Sequence, residues 1–344
     1  MTVRVNKSSF NIREKLSELE RPIGLKGSEL MRAETAQDAF SLIGAGRRNM
    51  IINGRFLVSQ RGTYTSLTTP TSNTYYLDRW FWNGTINGNS QIQLKTDQVV
   101  NGFTNLNTYY YTSSNTIASS GQIIEASLWS HLKGKKVTYS AWVKTNNPRV
   151  GLRFYTGVQN YGPRHSGSGN WEYLTWTFTI PSGATNLYPL VDSYNGVFND
   201  GSNTYIEITM VQVEEGTIAT PFEHRSYGEE LALCQRYFQK FDSGRFRGLN
   251  AYPNVNLTSG DQLPSFLFPV QFRATPTMSP ATATAVYDTW AAGAGITRVV
   301  RYTASSGHVL FQYNSTDGGN QGSIPSGGYF RMRIDSNLEF SAEL

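Results

Sequence analysis

Val137-Thr-Tyr-Ser-Ala-Trp-Val-Lys144 sets apolar Val137, Tyr139, Ala141 and Val143 at every second position. That is the period of a half-buried β-strand, because successive side chains on a strand point to opposite faces. The same alternation returns in Tyr173-Leu-Thr-Trp-Thr-Phe-Thr-Ile180 and in Tyr205-Ile-Glu-Ile-Thr-Met-Val-Gln-Val213. Between these runs lie turn-forming clusters: Asn146-Asn-Pro148, Pro163 to Asn170, and Pro181-Ser-Gly183. One face of each strand is apolar and the other carries Thr, Ser or charge, which suits antiparallel sheets with a single buried face. Repeated from Met50 to about His224, the pattern predicts a jelly-roll β-sandwich over residues 50–225.

The flanks read differently. In residues 1–48, Asn11 with Glu14 three positions on makes a capping-box arrangement, and Ile12, Leu16 and Leu19 fall on one helical stripe that Pro22 stops. A second helical pattern runs from Ser28 to Gly44. These stripes are too short for a self-sufficient coiled coil, so the expectation is a helical anchor that docks or trimerises through Ile12, Leu16 and Leu19. Residues 226–344 open with Glu229 to Gln239, where Leu231, Cys234 and Phe238 share helical spacing, and then return to strands at 266–272, 284–290, 297–303, 308–313 and 330–334. A second, smaller β-sandwich is expected there. The fold class is mainly β.

Composition agrees and excludes several functions. Only 16% of residues are charged while 13% are aromatic, as expected for short strands joined by polar turns. The net charge of +5 is spread over small basic groups such as Arg47 with Arg48 and Arg331 with Arg333, not the concentrated basic stripe of a nucleic-acid binder. Nucleic acid is therefore not an expected partner. Cys234 is the single cysteine, so no internal disulfide can form. No secretory signal is read at the N-terminus and no apolar run suffices for membrane insertion. Synthesis and folding in a cytosol are expected.

Catalytic patterns fail in turn. Gly167-Ser-Gly169 and Gly293-Ala-Gly295 lack the rest of a phosphate cradle, and His131, His165, His224 and His308 have no partner at zinc-ligand spacing. Cys234 reads as a small buried hydrophobe. Glycosidase chemistry needs two carboxyl groups across one cleft. Asp78, Asp97, Glu125, Asp192, Glu207, Glu214 and Glu215 are available, but Asp78 reads as an ion pair with Arg79 or a turn cap, and Glu214 with Glu215 as organisers of a loop. No enzyme is expected. The oxygen-rich stretch from Asp192 to Gly201 admits Ca²⁺ but lacks EF-hand spacing, so no cofactor or metal is expected.

Sugar binding suits the composition best, because flat rings beside amides match the apolar face of a pyranose. The densest clusters are Trp80-Phe-Trp82-Asn83 and Asn107-Thr-Tyr109-Tyr-Tyr-Thr112. Trp80 and Trp82 share a strand face, and Tyr110 opposes Tyr109 and Tyr111, so at least one tyrosine ring faces outward. The candidate ligand residues are Trp82, Tyr109, Tyr110, Tyr111 and Trp171, with Tyr313 and Tyr329 flanking a long Gly-rich loop.

The segment Gly46-Arg-Arg-Asn-Met-Ile-Ile-Asn-Gly-Arg-Phe-Leu-Val-Ser-Gln-Arg-Gly62 resembles the entry to a carbohydrate-binding-module-like domain of phage tail fibre and receptor-binding proteins. Tyr76-Leu-Asp-Arg-Trp80, Ser140-Ala-Trp-Val-Lys144 and the stretch Met210 to Glu223 are similar to the same group. So are Glu230 to Phe238, Phe268 to Thr277 and Phe340-Ser-Ala-Glu-Leu344. Ser9 to Arg48 resembles the head of related proteins in marine, cyanophage-like phages. The resemblance implies a virion component made in the host cytoplasm, a homotrimer whose N-terminus meets tail or baseplate proteins and whose far end meets host surface polysaccharide or lipopolysaccharide. A purely architectural tail or baseplate piece and a polysaccharide depolymerase are the alternatives.

Overall fold

A computed structural model describes residues 48–69, 74–83, 90–113, 119–193, 204–242, 262–279, 283–289, 296–313, 330–334 and 337–344. Its expected helical anchor, with Ile12, Leu16 and Leu19, lies outside the described residues. What is described is mainly antiparallel sheet with two short helices, and none of those helices is long and apolar enough to cross a membrane.

The first sheet holds β1 (Tyr75–Leu77), β2 (Trp80–Asn83), β5 (Ser119–Gly121), β10 (Tyr188–Ser193), β7 (Val150–Tyr155) and β8 (Gln159–Arg164), in that order. The second holds β3 (Gln91–Val100), β4 (Phe103–Ser113), β11 (Thr204–Glu215), β6 (Lys136–Thr145) and β9 (Trp171–Thr179). The three alternating runs of the sequence are β6, β9 and β11. Facing apolar rows make one core: Leu77, Trp80 and Trp82 from the first sheet meet Tyr109, Tyr111, Tyr139, Val143, Ile206 and Ile208 from the second. Each such side chain, fully buried, contributes about 1.5–3 kcal/mol.

The entry segment is held by its amides. Asn49 Nδ2 donates to Val211 O (3.0 Å), while its Oδ1 accepts from Ile51 N (2.9 Å) and Val213 N (3.0 Å). A Cβ on Gly54 would stand 2.3 Å from Val211 O, so only glycine lets the entry backbone lie this close to β11. Entry and exit are stitched together by Glu223, which accepts from Arg48 N (2.6 Å) and Asn49 N (2.8 Å) and pairs with Arg225 Nε (2.9 Å).

Of the two helices, α1 (Ala126–Trp129) and α2 (Tyr227–Gln235), the second begins with a capping box in which Ser226 and Glu229 satisfy each other's backbone N–H. It ends earlier than the spacing predicts: Phe238 opens β12 (Phe238–Phe241) instead of extending the helix. Cys234 is indeed a buried hydrophobe, and with Tyr237 it packs against Ile52 and Val58 of the entry segment. Beyond it, β12, β19 (Leu338–Ser341) and β14 (Thr277–Ser279) form a three-stranded sheet with β19 in the middle. A five-stranded sheet follows the order β13 (Gln262–Leu267), β17 (His308–Tyr313), β16 (Ile296–Ala304), β15 (Ala283–Thr289), β18 (Phe330–Ile334). Phe241 and Phe340 of the smaller sheet pack in edge-to-face contacts with Phe266 and Phe268 around β13.

A buried ionic joint ties this region to the first sandwich. The Arg79 guanidinium pairs with Glu343, donates to Ile123 O (2.6 Å) and lies 3.6 Å from the Tyr237 ring centroid. Arg61 reaches the other Glu343 oxygen at 2.8 Å and stacks 3.8 Å from the Phe238 ring. The expected Asp78–Arg79 pair is absent. Asp78 and Arg79 form the turn between β1 and β2, where Arg79 has φ +70° and turns to Glu343, while Asp78 accepts from Gln60 N and Gln60 Nε2 (both 2.6 Å).

Candidate functional site

The outward face of the second sheet collects the polar and aromatic residues that alternation keeps out of the core. Strand register places Gln93, Tyr110, Glu207, Lys144 and Trp171 side by side in one row across all five strands. Beside it, Thr209, Trp142 and Tyr173 align on β11, β6 and β9, and Gln91, Thr112 and Tyr205 align on β3, β4 and β11. Their sequence neighbours Tyr109, Tyr111, Val143, Ile206 and Ile208 are no more than 1% exposed. Five aromatic side chains therefore share these rows with amides, hydroxyls and two charges, Glu207 and Lys144.

The charges are ordered. Glu207 Oε2 meets Lys95 Nζ at 3.0 Å, and its Oε1 accepts from Thr108 Oγ1 at 2.6 Å. Lys95 Nζ also stands 3.9 Å from the Tyr110 ring centroid, and the Tyr205 ring stacks on Tyr110 at 5.9 Å. Tyr110 is thus held between a cation and a ring. Burial pushes its hydroxyl pKa up, and the Glu207 charge adds to the rise. Trp142 lies 5.3 Å from Tyr173, and both Trp142 and Trp171 pack against Val100, Leu106 and Met210. Met210 reaches this face because its φ of +49° falls where the β11–β6 register shifts.

The turn before Trp171 is equally constrained. Glu172 accepts from Ser166 N (3.0 Å), Ser168 Oγ (2.9 Å) and the Ser166 hydroxyl. Burial pushes this carboxyl up, but those hydrogen bonds outweigh it and hold the group below the usual carboxylate range. His165 Nδ1 accepts from Gly167 N (2.8 Å), and Gly169 N donates to Thr145 O (3.0 Å). Gly169 has φ +76°, and a Cβ there would come 3.4 Å from the Tyr205 hydroxyl. The turn therefore holds the start of β9, where Trp171 lies.

Of the residues expected to bind, Tyr110 and Trp171 lie on this face. Trp82, Tyr109 and Tyr111 do not: they are 0%, 1% and 0% exposed and pack together in the core, Trp82 edge-on to Tyr111 at 5.6 Å. The face that carries Trp80 is the core face, so Trp82 is buried with it. The ring of Tyr313 and the whole of Tyr329 lie outside the described residues. Tyr205, Trp142 and Tyr173 were not among the expected residues, although the period of two in β11, β6 and β9 places each of them opposite a core position.

Other chemistry is weaker. Asp192, at the start of the oxygen-rich stretch, sits on β10 with Arg153 Nε at 2.8 Å, and burial pushes its carboxyl up to about 6; residues 194–201 lie outside the described residues. No group of three or more metal-ligating side chains occurs among the described residues. Glu214 is held by Gln212 Nε2 (2.9 Å), Thr220 N (2.9 Å) and Thr220 Oγ1 (2.6 Å), so it organises the exit loop. A cavity of about 290 Å³ is lined by Arg48, His131, Arg225 and Arg236 among others, but Arg225 is engaged with Glu223 and Glu230, and Arg236 with Glu125.

No protein-family model matches the chain, and no curated protein matches it. Among solved structures it is similar to the enzymatically active domain of tailspike protein 4 of bacteriophage CBA120, with 15% identity and a TM-score of 0.32 over 49% of this chain and 21% of that one. A family 16 carbohydrate-binding module matches with 16% identity and a TM-score of 0.25, covering 36% of this chain and 85% of the module. A xylan-binding domain of family 22 matches with 15% identity and a TM-score of 0.28, over 46% of this chain and 99% of the domain.

Proposed function

We propose that this protein binds glycans through the outward face of the β3-β4-β11-β6-β9 sheet and serves as a receptor-binding component of a phage tail. The observation that carries the reading is the row Gln93, Tyr110, Glu207, Lys144, Trp171, flanked by Trp142, Tyr173 and Tyr205. Rings on a rigid sheet suit the apolar faces of sugars, and the neighbouring amides and hydroxyls suit their hydroxyl groups. The tail role rests on the sequence resemblance of the entry and exit segments. With it come a homotrimer, docking through the N-terminal segment, and a place in the virion. Repeated weak sites on such an assembly raise effective affinity by about 10²–10⁴-fold.

The same proposal makes the protein a binder without turnover. Hydrolysis needs two carboxyl groups about 5–10 Å apart and free to act, whereas both oxygens of Glu207 and of Glu214 are engaged. The test is binding of purified protein to host cells, with and without competing surface polysaccharide. Trp171→Ala should weaken binding by roughly tenfold, the scale of one lost ring contact. Binding that ignores the competitor would refute the reading in favour of an architectural tail piece. Release of oligosaccharides would refute the absence of turnover.

A further inference from the structure

We infer that this face selects acidic glycans, with Lys144 as the group that meets their carboxylates; the inference rests on the glycan-binding reading above. Three charged side chains meet in this part of the face: Glu207 and Lys144, neighbours in the row, and Lys95, opposite Thr108 on β4. The carboxylate of Glu207 is 4% exposed and fully engaged, one oxygen by Lys95 and the other by Thr108. Lys95 and Glu207 therefore neutralise each other inside the floor of the site, leaving one positive charge.

That charge belongs to Lys144. It stands between Glu207 and Trp171 in the row, and its ammonium lies 6.0 Å from the Trp171 ring centroid. Among the described residues it forms no ion pair. A pyranose stacked on Trp171 would carry its ring substituents into the reach of this ammonium. A carboxylate there gains a charge-assisted hydrogen bond, whereas a hydroxymethyl group gains only a neutral one. An acid of the protein on the same row does not compete, because Glu207 is already spent.

The experiment compares uronic-acid oligosaccharides, namely oligogalacturonate, oligomannuronate and oligoguluronate, with their carboxyl-reduced counterparts, by calorimetric titration of the full chain. Reduction keeps the rings and removes the charge. An acid-to-neutral affinity ratio of about fivefold to tenfold is expected. It should shrink with added salt, fall to about one in Lys144→Gln and be restored in Lys144→Arg. Trp171→Ala should lower binding of both members of each pair. Equal binding of acid and neutral forms, or a ratio unchanged by Lys144→Gln, overturns the charge selection and leaves the glycan site standing. Binding of no member of any pair overturns both.

Discussion

Replacing Arg79 by Met tests whether the joint between the sandwich and the C-terminal sheets is held by one buried cation. Arg79 is 1% exposed, and Met keeps its apolar stem while removing the guanidinium. Three interactions go: the pair with Glu343, the bond to Ile123 O at 2.6 Å and the contact 3.6 Å from the Tyr237 ring. The charged hydrogen bond contributes about 1.5–3 kcal/mol and the desolvated cation–π contact about 2 kcal/mol. Glu343 is not stranded, because Arg61 remains 2.8 Å away. The expected loss is about 4 kcal/mol, within the range for removing one partner of a buried pair. In a unit of this size that lowers Tm by about 8–16 °C, measured by calorimetry or circular dichroism. Glu343→Gln in the same background should cost less than it does alone, since the two groups share one interaction. A Tm within 2–3 °C of the parent protein, or strict additivity of the two substitutions, would refute the reasoning.

Two further outcomes involve protons. Asp192 has its carboxyl pushed up to about 6 by burial despite Arg153, above the unfolded value of about 3.9. A raised folded pKa means that its contribution is fully present below about pH 4 and is lost as pH rises through about 6. The stability of the parent protein relative to Asp192→Asn should therefore decline by about 2–3 kcal/mol across that interval in denaturant titrations, and a flat difference would contradict it. Glu172 is shifted the other way, so its bracing of the turn is present above the unfolded value of about 4.3 and lost as pH falls through the lower folded one. Glycan affinity should weaken at acid pH as Glu172 is protonated, and Glu172→Gln should show the weakened state at neutral pH in the same titration.

The sandwich was legible where a strand is long. The strands β6, β9 and β11 are nine to twelve residues long, enough for the alternation to identify a buried face even though the register of β11 shifts near Met210. The β2 strand has only four residues, three of them aromatic, so alternation pairs Trp80 with Trp82 but leaves open which face is inside. In Tyr109-Tyr110-Tyr111 the side chains are chemically identical, and only the partner strand decides: Ile92 and Leu94 of β3 lie opposite Tyr111 and Tyr109. The candidate site was half legible for the same reason. Tyr205 and Trp142 follow from alternation, but their convergence with Tyr110 depends on β4, β11 and β6 being neighbours, which sequence order does not reveal. The joint was not legible at all, since Arg79 and Glu343 are 264 positions apart.

That separation bears on how the chain folds. Loop-closure entropy delays contacts between distant positions, and folding slows as mean contact separation grows. As the chain emerges from the ribosome, strands through β11 can collapse around their own core while Arg79 still lacks its carboxylate. Fragments ending before residue 343 should therefore expose a naked guanidinium and an uncovered Tyr237, and should aggregate or invite chaperones until the distant acid arrives.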